Sequence, residues 1–137
     1  CPDDKDFCVP LVSREGYLDL YPGADATFVT VVDGTFTTGC AYLATKAGLE
    51  KAVHHINEVF KRRKSKLGMA RLLGISFVYA YLVKKLTVAD VEKKVCDLLQ
   101  VKATAIRDAP AQLAYDIDYQ DDYYYALNTL KAHQREV

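Results

Sequence analysis

The chain has 137 residues, half of them apolar and about a quarter charged, with a formal net charge of zero. That is enough chain to bury a real core. It excludes an intrinsically disordered chain, which has fewer apolar residues and more net charge, and it counts against a generic nucleic-acid binder, which is basic overall.

The charge is unevenly spread. Residues 1–40 hold two Lys/Arg and seven Asp/Glu, and residues 41–71 hold eight and two. Residues 72–107 hold six and three, and residues 108–137 two and six. Acidic ends therefore flank a basic middle, an asymmetry that suits electrostatic steering or assembly. No linker-like run and no solenoid-period repeat divides the chain, so the expectation is a single domain over 1–137. The chain starts at Cys1 and not at Met, which fits a processed secreted protein or a piece of a polyprotein and leaves the compartment undetermined.

Residues 1–15 read as an extended tail, turned at Pro10. Gly16–Tyr21 reads as a short strand ending at the Pro22-Gly23 turn. Thr27–Val32 is rich in β-branched residues. Asp33-Gly34 and then Thr35–Thr38 follow, which together read as a hairpin with a type I′ turn at Asp-Gly. A helix is expected from Ala41 to Arg62, with Leu49, Ala52, Val53, Ile56, Val59 and Phe60 on one face.

Leu67–Leu86 is apolar nearly all round and reads as a buried helix, with a central strand over 75–81 as the competing reading. Its most apolar part, Leu67–Val83, contains Arg71 and two glycines. It is also shorter than the roughly 20 residues that cross a bilayer, so no membrane span is expected.

Thr87 and Asp90 form a capping box for a helix ending near Gln100. Lys102–Arg107 reads as a further short helix. Residues 113–119 alternate apolar and acidic side chains like a half-buried strand. A last helix runs from Asp121 or Asp122 to about Arg135. The expected whole is an α+β fold: a small N-terminal antiparallel sheet, with residues 113–119 as a candidate further strand, packed on about four helices. Its expected core includes Phe28, Val29, Val31, Leu49, Val53, Ile56, Phe60, Leu72, Leu73, Phe77, Val78, Leu82, Val91, Val95, Leu98, Leu99, Ile117 and Leu127.

Several groups are candidates for chemistry. Lys61, Arg62, Arg63, Lys64 and Lys66 make a basic run able to contact phosphates, although a helix spreads them into a collar around its axis. Val95–Ala109 partly imitates a helix-turn-helix that would point Lys102, Thr104 and Arg107 at a groove. Gln100 at the turn and Pro110 after it count against that reading. Asp116, Asp118, Asp121 and Asp122 begin like a calcium loop, but Asp121 occupies its glycine position and Leu127 its twelfth. A solvated face and a helix cap explain these acids more simply, and no metal site is assigned.

Four cysteines allow three pairings, of which Cys8–Cys40 would staple the tail to the sheet. The three consecutive tyrosines Tyr123, Tyr124 and Tyr125 at a helix start cannot all be buried by one core, and with Tyr119 they are candidate interface residues. No HExxH, GxSxG, P-loop or GxGxxG pattern is present, so no catalytic residue and no cofactor is assigned. His54, His55 and His133 show no chelating spacing. A Cys–His pair, Cys40 or Cys96 with His55, would have to assemble in three dimensions.

The first functional reading is a non-enzymatic binding or assembly protein. It would contact a protein partner or copies of itself through tyrosines and complementary charge. The second is a nucleic-acid-binding domain using residues 61–66 with Lys102 and Arg107. The third is a small enzyme of unassigned type.

Overall fold

The computed structural model describes residues 2–62 and 64–133, with only the backbone of Leu130, Ala132 and His133. Among these residues it shows the expected α+β architecture, with six α-helices and a five-stranded sheet. The sheet is built around a strand that the sequence reading took for a tail. β1 (Phe7–Ser13) is paired antiparallel with β3 (Gly34–Thr38) through residues 11–13 and with β4 (Leu43–Ala44) through residues 7–8. It is paired parallel with β5 (Ala103–Ile106) through residues 7–10.

Pro10 normally argues against a central strand, because it has no N–H to donate. Here it falls where pairing with β4 has ended and pairing with β3 has not begun. Its carbonyl still accepts a bond from the Gly39 amide at 3.0 Å. Gly39 fits there because a Cβ would lie 2.7 Å from the Pro10 ring and 3.0 Å from the Leu113 carbonyl oxygen.

The hairpin forms as expected, from β2 (Val29–Val31) and β3, with Thr30 and Thr35 hydroxyls 3.0 Å apart across it. Val31 pairs with Gly34, so Val32 and Asp33 form the loop and the turn sits one residue earlier than the Asp-Gly reading placed it. The expected strand over 16–21 is instead α1 (Arg14–Leu20). The Ser13 side chain accepts from the Gly16 amide, and this local cap outweighs the β-propensity of the aromatic residues.

α2 (Lys46–Arg62) starts later than expected, because residues 43–44 extend the sheet first. The long apolar segment that follows is neither one helix nor a buried one. It divides at Gly74 into α3 (Lys66–Leu73) and α4 (Ile75–Leu82), and no residue of either is buried. α5 (Val88–Leu99) has the expected capping box, with the Thr87 hydroxyl accepting from the Asp90 amide and the Asp90 carboxylate accepting from the Thr87 amide. It ends on Gln100 in a left-handed conformation.

Residues 103–106 form a strand where a helix was expected, which removes the helix-turn-helix reading. The expected strand over 113–119 is a short 3₁₀ turn (Ala111–Leu113) and loop. The last helix, α6, spans Gln120–His133. Its expected end near Arg135 lies outside the described residues.

The core also differs from expectation. Val29, Leu49, Val53, Phe60, Leu82 and Ile117 are exposed, while Cys8, Val12, Tyr17, Tyr21, Ala52, Leu86, Val88, Val101, Ala103 and Ala114 are buried. Two clusters form. One joins Val12, Tyr17, Tyr21 and Ala114, with Phe28, Tyr115 and Tyr125 packed against it. The other joins Ala52, Val101 and Ala103 between α2, α5 and the sheet, with Phe7, Ile56, Val95 and Leu99 around it.

Candidate functional site: an apolar groove beside a polar cleft

Side chains alternate along a strand, and β1 shows this as strict alternation of buried and half-buried residues. Val12 belongs to the aromatic cluster. Val9 and Leu11 face the other way and form the floor of a groove of about 400 Å³. β2 contributes Val29 and Val31, and β3 contributes Phe36. α5 supplies the opposite wall through Val88, Val91, Glu92 and Val95, spaced along one helical face. A cavity of this size holds a small organic molecule or one part of a larger one.

Among the described lining residues Glu92 is the one that carries charge. Its Oε1 accepts from the Ala105 amide at 2.5 Å and from the Thr104 hydroxyl at 3.1 Å. One helical turn later the Cys96 sulfur accepts from the Ala103 amide at 3.1 Å. Two side chains of α5 therefore satisfy the amides of β5 that point away from β1. This covers a strand edge that would otherwise recruit another chain. It also fixes a carboxylate and a hydroxyl in the groove wall.

On the far side of Phe36 lies a second, polar cleft of about 410 Å³, bordered by Ser13, Arg14, Glu15, Asp33 and Thr35. Phe36 lines both spaces. The Asp33 carboxylate accepts from the Val88 amide at 2.8 Å and from the Arg107 guanidinium at 2.9 Å. Those bonds, the backbone one foremost, hold its acidity below the usual carboxylate range. The bond to Val88 also ties the hairpin loop to the first turn of α5. The Arg14 guanidinium stands 5.9 Å from the centre of the Phe28 ring. The arrangement suits an amphipathic ligand, with its apolar part on the valines and its charged part across Phe36.

The residues singled out in the sequence lie elsewhere or have other duties. Lys61 and Arg62 end α2 and both reach Glu58, at 2.8 and 3.9 Å. Arg63 lies outside the described residues. Lys64 and Lys66 are exposed on either side of the Ser65 cap of α3. Lys102 donates its backbone amide to Asp6, and Arg107 is held by Asp33, so neither projects from a recognition helix.

Tyr119, Tyr123 and Tyr124 are exposed. Tyr125 turns inward, stacks on Tyr115 at 5.8 Å between ring centres and donates its hydroxyl to the Pro22 carbonyl. Cys40 and Cys96 carry free thiols, so the Cys8–Cys40 bridge is not made. Desolvation, then the nearby Asp116 and Asp118 charges, push the Cys40 thiol up. That is the opposite of what an activated nucleophile needs. Asp122 accepts from the amides of Asp118 and Tyr119 and so anchors the start of α6. Asp116 accepts from the Ile117 amide.

The groove itself was missed because its walls come from segments far apart in sequence. The alternation Val9, Leu11 and the stripe Val88, Val91, Val95 were the available signals, but each alone reads as core.

No family model and no curated protein matches the chain. Among solved structures, it is similar to a hypothetical transferase from Thermus thermophilus, with a TM-score of 0.81 and 28% sequence identity over 88% of this chain. The chain spans 52% of the length of that structure. This likeness overturns the first reading of the sequence, a non-enzymatic binding or assembly protein, and directs attention to enzymatic chemistry.

Proposed function

We propose that this chain contributes to a group-transfer enzyme, with the groove and the cleft across Phe36 as its substrate site. The observation that carries the reading is the likeness to the Thermus transferase at a TM-score of 0.81 and 28% identity. A transferase passes a group X from a donor D–X to an acceptor A–H, giving A–X and D–H. Its site must hold two molecules side by side and keep water from competing. Two adjoining spaces of different polarity suit that task. The valine-lined groove favours an apolar moiety, and the cleft, bordered by Arg14, Glu15 and Asp33, favours a polar one. Glu92, fixed by Ala105 and Thr104, places a polar anchor in the apolar wall.

The test is a panel of phosphoryl, glycosyl, acyl and methyl donors, each offered with mixed acceptors and followed by mass spectrometry. The expected result is consumption of one donor class, slowed by Val91→Trp, which fills the groove, and by Arg14→Gln. Absence of turnover and of binding with every donor would contradict the reading. So would turnover that neither substitution alters.

A further inference from the structure

α4 is apolar nearly all round, yet it turns large apolar side chains outward. Ile75, Tyr79 and Leu82 lie at i, i+4 and i+7, on one face. They are exposed at 87%, 65% and 70%. None of the eight residues of α4 carries charge. Leu67, in the first turn of α3, is 76% exposed.

Exposed cations flank this apolar segment in the chain. Lys64, Lys66 and Arg71 come before it in the chain and Lys84 and Lys85 after it, all exposed. Among the described residues none of these five is in a salt bridge. Lys94 of α5 lies over the Phe77 ring at 5.9 Å. Eight residues of helix are only about 12 Å long, far too short to cross a bilayer. The segment has instead the makeup of one that lies in the membrane interface. In such segments aliphatic side chains face the lipid, tyrosines lie beside them at headgroup depth, and lysines reach the phosphates from the flanks.

We propose that the α3–α4 surface docks on an anionic lipid bilayer, with Ile75, Tyr79 and Leu82 entering the headgroup region and Lys84 and Lys85 on the lipid phosphates. An acidic protein surface would meet the lysines equally well, but it would leave the exposed Ile75 and Leu82 side chains opposite charge. A lipid interface satisfies both features together.

The test is sedimentation of the intact protein with vesicles of phosphatidylcholine, alone or with added phosphatidylserine, at low and high salt. Native mass and circular dichroism are recorded alongside. The expected result is binding to the anionic vesicles that salt weakens. Ile75→Glu with Leu82→Glu should lower it by about tenfold or more, and each of Lys84→Gln and Lys85→Gln by about fivefold. All four side chains are exposed, so the dichroism should not change. Failure to bind anionic vesicles at low salt would overturn the proposal. So would binding that Ile75→Glu with Leu82→Glu leaves intact, or a native dimer that this pair dissociates, which would show a second copy covering the face.

Discussion

The two faces of β1 are filled by different means. On one, Val12 meets a set of rings. Tyr17 lies 5.5 Å from Tyr21 and 5.7 Å from Phe28, and Tyr21 lies 4.5 Å from Tyr115, between ring centres. Tyr17 is 1% exposed, and its hydroxyl donates to the Asp25 carbonyl at 3.3 Å. On the other face, Val9 and Leu11 look across an open groove at the valines of α5. One strand thus joins a face closed by aromatic packing to a face left open. The comparison separates a face filled by packed aromatic rings from a face where valines, with Leu11 and Phe36, leave space.

Substitutions on the closed face should break the fold first. Tyr17→Ala should cost about 3–5 kcal/mol, the usual range for deleting a buried ring, read as a lowered midpoint in urea. Gly39→Ala comes next. Its new methyl would press on Pro10 and on the Leu113 carbonyl, costing roughly 1–3 kcal/mol in the same measurement.

Glu92→Ala, on the open face, leaves the Ala105 amide without its acceptor and should cost about 1–3 kcal/mol. Glu92→Gln keeps an acceptor oxygen and should cost less. A double comparison in urea checks that difference. Thr87→Ala removes the cap of α5 and should cost about 1 kcal/mol.

Acidity sharpens the same contrast. Desolvation first, then the neighbouring tyrosines, push the Tyr17 phenol from 10.0 up to about 12. The folded protein therefore holds this proton more tightly than the unfolded chain does. Its contribution to stability is complete below pH 10 and is lost as the pH rises from 10 toward 12. Ultraviolet titration of tyrosinate should show a late-ionising phase in the wild type that Tyr17→Phe diminishes, since Tyr21 and Tyr115 are also held up by desolvation.

Local features were legible in the sequence. The Thr87–Asp90 capping box needs only four consecutive residues, the Asp33-Gly34 hairpin needs about ten, and both were read. The shift of its turn by one residue was not, since Asp33 is drawn into long-range bonds with Val88 and Arg107. β1 was hidden because Pro10 argues against a strand, and only the gap between β4 and β3 makes it acceptable. β5 was hidden because its amides are satisfied by Glu92 and Cys96 of a preceding helix, a pairing that no local pattern encodes.

The apolar α3–α4 segment was read as core on composition alone. Composition records how apolar a segment is and not which neighbour covers it. The groove shares that limit, since its floor and wall come from residues some 80 positions apart, as Val9 and Val91 are.

The most direct test of the account is a map of amide chemical shifts as the donor class selected by the turnover panel is added to the labelled protein. The account expects the changes to cluster on Val9, Leu11, Val91 and Val95 and on Arg14 across Phe36, and to vanish in Val91→Trp. Changes centred on Tyr17, Tyr115 and Tyr125, or no changes at all, would contradict the claim that the open face of β1 is the substrate site.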